Sequence, residues 1–98
     1  MTDLEMAGLC AEAMGLLVQH TTGEDVWRFP GNLLAYDPLR DDAHAMALVK
    51  KFGANICQDV DRTNWYASVA GGSAWGKDLN RAIVECVAKM QSAKALTA

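Results

Sequence analysis

At 98 residues the chain is long enough for one hydrophobic core and too short for two, so it reads as a single domain over residues 1–98. A net charge of −3, with only Lys50 and Lys51 adjacent among scattered cations, excludes a general attraction to nucleic acid, which needs cations gathered on one face. No apolar run approaches the roughly 18 residues that cross a bilayer, and the start "MTDLEMAG" lacks the basic and apolar segments of a signal peptide. Cys10, Cys57 and Cys86 are odd in number and far apart, which fits reduced, mostly buried thiols and a cytoplasmic protein better than disulfides or a zinc site.

Thr2 and Glu5 have capping-box spacing, and Met6, Leu9, Cys10, Ala13 and Leu17 follow at helical intervals. Gly15 is expected to end this first helix. "LLVQH", residues 16–20, then reads as a strand, "TTGE" as a turn and "DVWRF", residues 25–29, as the returning strand stopped by Pro30-Gly31. "NLLAYDPL" reads as an irregular connection. A second helix is expected over residues 41–52, with Ala45, Leu48, Val49 and Phe52 on one face and Gly53 closing it.

"ANICQDV", the turn "DRTN" and "WYASVA" form the clearest hairpin: Ile56 and Val60 alternate with polar residues, as do Trp65, Ala67 and Val69. Tyr66 and Ser68 then fall on the opposite side. The last helix starts near Asp78 and repeats Leu79, Ala82, Ile83, Cys86, Val87 and Met90, with Arg81, Glu85 and Lys89 outside; residues 93–98 are expected to fray. The order α-β-β-α-β-β-α implies an α+β fold, three helices packed on a small, mainly antiparallel sheet.

"SVAGGSAWGKD", residues 68–78, carries Gly71 and Gly76-Lys77 at the spacing of a phosphate-binding loop. Asp78 replaces the hydroxyl that would hold magnesium, Trp75 is bulky where the chain must wrap phosphates, and a parallel sheet is missing. The segment therefore reads as a strand-to-helix turn, with Gly71-Gly72 breaking the strand and Asp78 capping the helix.

Asp37, Asp41 and His44 could together bind a divalent metal or do acid–base work. Asp41 and Asp42 equally suit a helix N-terminus, and Asp37-Pro38 a turn. His20 with Glu24 or Asp25 is a weaker ligand pair, and nothing in the spacing brings a histidine to Cys57 to make it a nucleophile. Trp65 belongs to the apolar row, whereas Trp75, among glycines, either lids the core or joins a partner-binding patch. Trp75, Trp27 and Tyr66 are the candidate partner-binding residues.

Several segments, in order, give the chain a resemblance to a known family. "AEAMG" (residues 11–15), "WRFPG" (27–31), "DPLRDDAHAMALVKKF" (37–52), "WYASVAG" and "DLNRAIVECVAKM" resemble the phage ABA-sandwich domain family of small phage and prophage proteins. "GNLLAY" is shorter than that family's usual connection. The resemblance implies helices on both faces of the sheet, covering Tyr66 and Ser68, and no catalytic or binding residue. The expectation is a non-catalytic phage or prophage accessory protein that needs no cofactor and binds another protein or a second copy of itself; the alternative is a small metal-binding domain or enzyme using Asp37, Asp41 and His44.

Overall fold

The computed structural model describes residues 1–97. The first helix, α1 (Asp3–Ala13), starts on the expected capping box: the Glu5 amide donates to Thr2 Oγ1 at 3.1 Å and the Thr2 amide to Glu5 Oε1 at 3.4 Å. It ends in a Schellman turn. The Gly15 amide reaches the Glu12 carbonyl at 3.0 Å and the Leu16 amide that of Ala11 at 2.9 Å, which requires the left-handed φ of +71° that Gly15 adopts.

The next segment departs from the expected strand pair. Residues 16–20 make only an isolated bridge, Gln19 to Arg28, and Leu17 is left 77% exposed. The partner of β1 (Trp27–Arg28) is instead β2 (Ala35–Tyr36), inside the supposed irregular connection. Pro30-Gly31 ends β1 as expected and also turns a hairpin: the Phe29 amide donates to the Leu34 carbonyl at 2.8 Å, and the Asn32 side chain accepts from the Leu34 amide. The turn places Leu33 at φ +60°.

Helix α2 (Asp42–Phe52) is capped by Asp41, whose Oδ1 accepts from the amides of Ala43 and His44 at 2.9 and 3.3 Å. Gly53 closes it at φ +61°. The expected hairpin forms from β3 (Asn55–Gln58) and β4 (Trp65–Val69), with Ile56 opposite Ala67 and Gln58 opposite Trp65, so its loop takes in residues 59–64 and is two residues longer than the expected turn 61–64. Val60 does not join its apolar row. It lies in the connecting loop, whose hydrogen bonds run to the Asp59 carboxylate from Thr63 and Asn64, and it is fully exposed.

The segment expected as a strand-to-helix turn is for the most part a third strand. Ala70 and Gly71 make a two-residue turn, and β5 (Gly72–Gly76) pairs with β4 from Val69 opposite Gly72 to Trp65 opposite Gly76. The sheet is thus the antiparallel meander β3-β4-β5, separate from the two-stranded β1-β2. Asp78 starts the last helix, α3 (Leu79–Thr97), by accepting the Ala82 amide on its carbonyl. That helix continues through Thr97, into the segment expected to fray.

The fold is α+β with three helices, but α3 rather than the sheet is the middle layer. Cys86 and Met90 of α3 face Gly72 of the sheet, while the Val84 carbonyl accepts from Cys10 of α1 at 3.4 Å on the other side. Ala82, Ile83, Val84, Cys86, Val87 and Ala88 are all buried, a face wider than one amphipathic stripe, and in that stretch only the line Arg81, Glu85 and Lys89 reaches solvent as expected. Among the described residues no helix covers the outer face of β3-β4-β5, so the helix/sheet/helix layering implied by the resemblance is not what forms. Gly72 explains the arrangement: a Cβ there would lie 2.3 Å from the Cys86 carbonyl, so α3 sits directly on this strand.

Candidate functional site

The outer sheet face is the surface on which the fold leaves the most unusual side chains. Side chains alternate along a strand, so Cys57, Tyr66 and Trp75 form one row across β3, β4 and β5, and Asn55, Ser68 and Ser73 form the next. The inner face carries Ile56, Ala67, Ala74 and Val69 against α3. Trp75, expected on a loop, is therefore fixed on a strand, points away from the core and is 57% exposed. Its ring lies against that of Tyr66, centroids 4.8 Å apart and tilted by 42°. Cys57, Asn55 and Ser73 are exposed and Tyr66 and Ser68 half-buried, with no charged residue in either row. The arrangement offers aromatic area, hydroxyls and an amide, the chemistry of a contact surface and not of a reaction centre.

Trp27 has a different place. Its indole Nε1–H donates to the Leu4 carbonyl at 2.7 Å, and its ring lies so close to α1 that a Cβ on Gly8 would meet it at 2.8 Å. It ties β1 to the first helix and takes no part in the row around Tyr66.

The acidic segment before α2 is occupied by local structure. Asp41 spends its carboxylate on the helix cap, and Arg40 Nε lies 3.4 Å from Asp37. The Asp37 amide donates to His44 Nδ1 at 3.1 Å, so that nitrogen is an acceptor and the ring proton sits on Nε2. The imidazole packs on Tyr36, centroids 5.0 Å apart. Among the described residues no three His, Cys, Asp or Glu side chains are placed to share a metal ion. His20 Nε2 meets the backbone oxygen of Glu24, whose carboxylate is taken by Arg28 at 2.7 Å.

Cys10 and Cys86 are fully buried and Cys57 is exposed, so the expectation of mostly buried thiols holds for two of the three. Burial pushes the Cys10 thiol up to about 12, with a further contribution from neighbouring Cys86. Burial likewise raises Cys86, to about 11, against smaller opposing effects of the Val87 amide and Lys89. Neither thiol is a nucleophile at neutral pH. Tyr36, unnoticed in the sequence because it sat in an apparent connection, is 2% exposed, and its hydroxyl is buried without a partner. Burial and then Cys10 raise its pKa.

No family model, curated protein or solved structure matches the chain. Among the described residues no helix is long and apolar enough to cross a membrane.

Proposed function

We propose that this protein is a non-catalytic interaction module that docks a partner protein on the outer face of β3-β4-β5, centred on Tyr66 and Trp75. The observation that carries the reading is the exposed Trp75 paired with half-buried Tyr66 on a sheet face that no helix covers among the described residues. Tyrosine and tryptophan contribute large contact area with few rotatable bonds, which is why they dominate the centres of protein interfaces. Scattered charge and the absence of a charged residue in either outer row favour a protein partner over nucleic acid. The sequence resemblance to phage and prophage proteins supports an accessory role in a bacterial host cytoplasm, which is where the partner should be sought.

The test is affinity purification from an induced or infected host with the wild-type chain, the double variant Tyr66→Ser/Trp75→Ser, and Lys51→Ser as a distant control. A partner retained by wild type and control but lost from the double variant is the expected outcome. Equal recovery by all three would remove the face from consideration.

A further inference from the structure

The two edges of the three-stranded sheet are not equivalent. In an antiparallel ladder, residue pairs alternate between exchanging both backbone hydrogen bonds and exchanging none. The Asp59 amide donates to the Asn64 carbonyl at 3.1 Å, which continues the β3-β4 register as a bonded pair. Two and four residues on, Cys57–Tyr66 and Asn55–Ser68 are then bonded, and Ile56 and Gln58 turn their N–H and C=O groups outward. On the other side, Trp65, Ala67 and Val69 bond β5, so Ser73 and Trp75 face outward from its edge. The Ser73 carbonyl is indeed met from outside, by Lys89 Nζ at 3.3 Å. A lysine from α3 thus guards β5, the common protection of an exposed strand edge. Edge β3, the run Asn55-Ile56-Cys57-Gln58, has neither charge nor proline.

We propose that β3 pairs antiparallel with β3 of a second copy of this chain, about a two-fold axis at Cys57. The outward groups select this partner and this register. With Cys57 opposite its own copy, Ile56 of each chain faces Gln58 of the other, and every outward N–H finds an outward C=O. A strand without charge meets itself without repulsion. The pairing joins two meanders into one continuous sheet and extends the row Trp75-Tyr66-Cys57 across the axis into its counterpart. It needs no contribution from the proposed docking face and stands or falls separately from it. At the axis the two Cys57 residues form a non-bonded pair, whose Cα atoms lie about 4.5 Å apart, within the range of about 4.4–6.8 Å that a disulfide spans.

Sedimentation equilibrium of the full reduced chain tests the pairing, with Cys57→Lys and Cys57→Glu as charged variants. The substituted side chain is exposed, and in the dimer it opposes itself. The wild type should show a monomer–dimer equilibrium. Each charged variant alone should dimerise at least about tenfold more weakly, and an equimolar mixture of the two should recover the dimer as a heterodimer. Amide exchange supplies the second readout: Ile56 and Gln58 should be slowed in the wild-type dimer relative to the Cys57→Lys protein, whereas Asn55 and Cys57, already inside the ladder, should not change. Diamide should link the wild type through Cys57 and leave Cys57→Ser unlinked. A wild type that remains monomeric up to about 1 mM, a dimer indifferent to both charges, or a mixture that stays monomeric overturns the proposal.

Discussion

The two faces of the three-stranded sheet invert the usual placement of bulk. The face against α3 is centred on Ala67, Ala74 and Gly72, with Trp65, Ile56 and Val69 around it, while the solvent face carries the paired, mutually tilted rings of Tyr66 and Trp75. The reason is distance. A helix whose backbone approaches β5 closely enough to put the Cys86 carbonyl 2.3 Å from a notional Cβ leaves no room for large residues between. Close helix–sheet contact and a bulky inner face are alternatives, and this chain takes the first. The inner face is consequently constrained by space and the outer face by nothing inside the chain.

The largest effect that separates the faces is expected for Gly72→Ala. The atoms its methyl would meet are backbone, the Cys86 carbonyl at 2.3 Å and the Met90 nitrogen at 3.0 Å, so no side chain can rotate aside. Helix and strand must part, at about 3 kcal/mol or more, measured as the loss of midpoint in urea unfolding; an unchanged midpoint would break the account of the inner face.

Alkaline pH probes the layer behind that face. Cys10 and Cys86, raised from 9.0 to about 12 and about 11, remain neutral in the fold after the unfolded chain has begun to ionise. The unfolded state then binds fewer protons than the folded one, so stability is complete below pH 9.0 and declines as pH rises toward 11 and beyond. Each thiol contributes a slope of about 1.4 kcal/mol per pH unit in that window. Urea titrations under reductant should show the decline, and Cys10→Ala should flatten it; a stability independent of pH above 9.0 would contradict the burial of both thiols.

The smallest effect sharpens the contrast. Trp75→Ser removes the largest residue of the outer face yet should change stability by less than about 1 kcal/mol, since its side chain is mostly in solvent and packs on the ring of Tyr66. A greater loss in urea unfolding would mean that the outer face supports the fold rather than facing a partner.

What the sequence discloses follows the range of the forces involved. The capping box at Thr2 and Glu5, the Asp41 cap, the Gly15 and Gly53 terminations and the alternation of Trp65, Ala67 and Val69 along β4 are all decided within a few residues, and each forms as read. Strand β5 is decided elsewhere. "GSAWG" has little strand propensity and two glycines, and it becomes a strand because β4 and α3 accept only small residues there. With that strand unread, Trp75 could not be assigned a face. The central position of α3 was encoded by Val84 and Ala88, apolar residues outside the expected stripe, and both are buried. The strand expected over residues 16–20 shrinks to a single bridge: Gln19 exchanges both backbone hydrogen bonds with Arg28 on the edge of β1 away from β2, and Leu17 beside it stays exposed.

The central place of α3 also bears on the order in which the core becomes available during synthesis. The sheet and the first two helices bury most of their apolar sides against the element translated after them, and only smaller contacts, such as Trp27 on α1 and Tyr36 on His44, join the earlier elements to one another. The core therefore has its full set of partners only once residues 82–90 have been made.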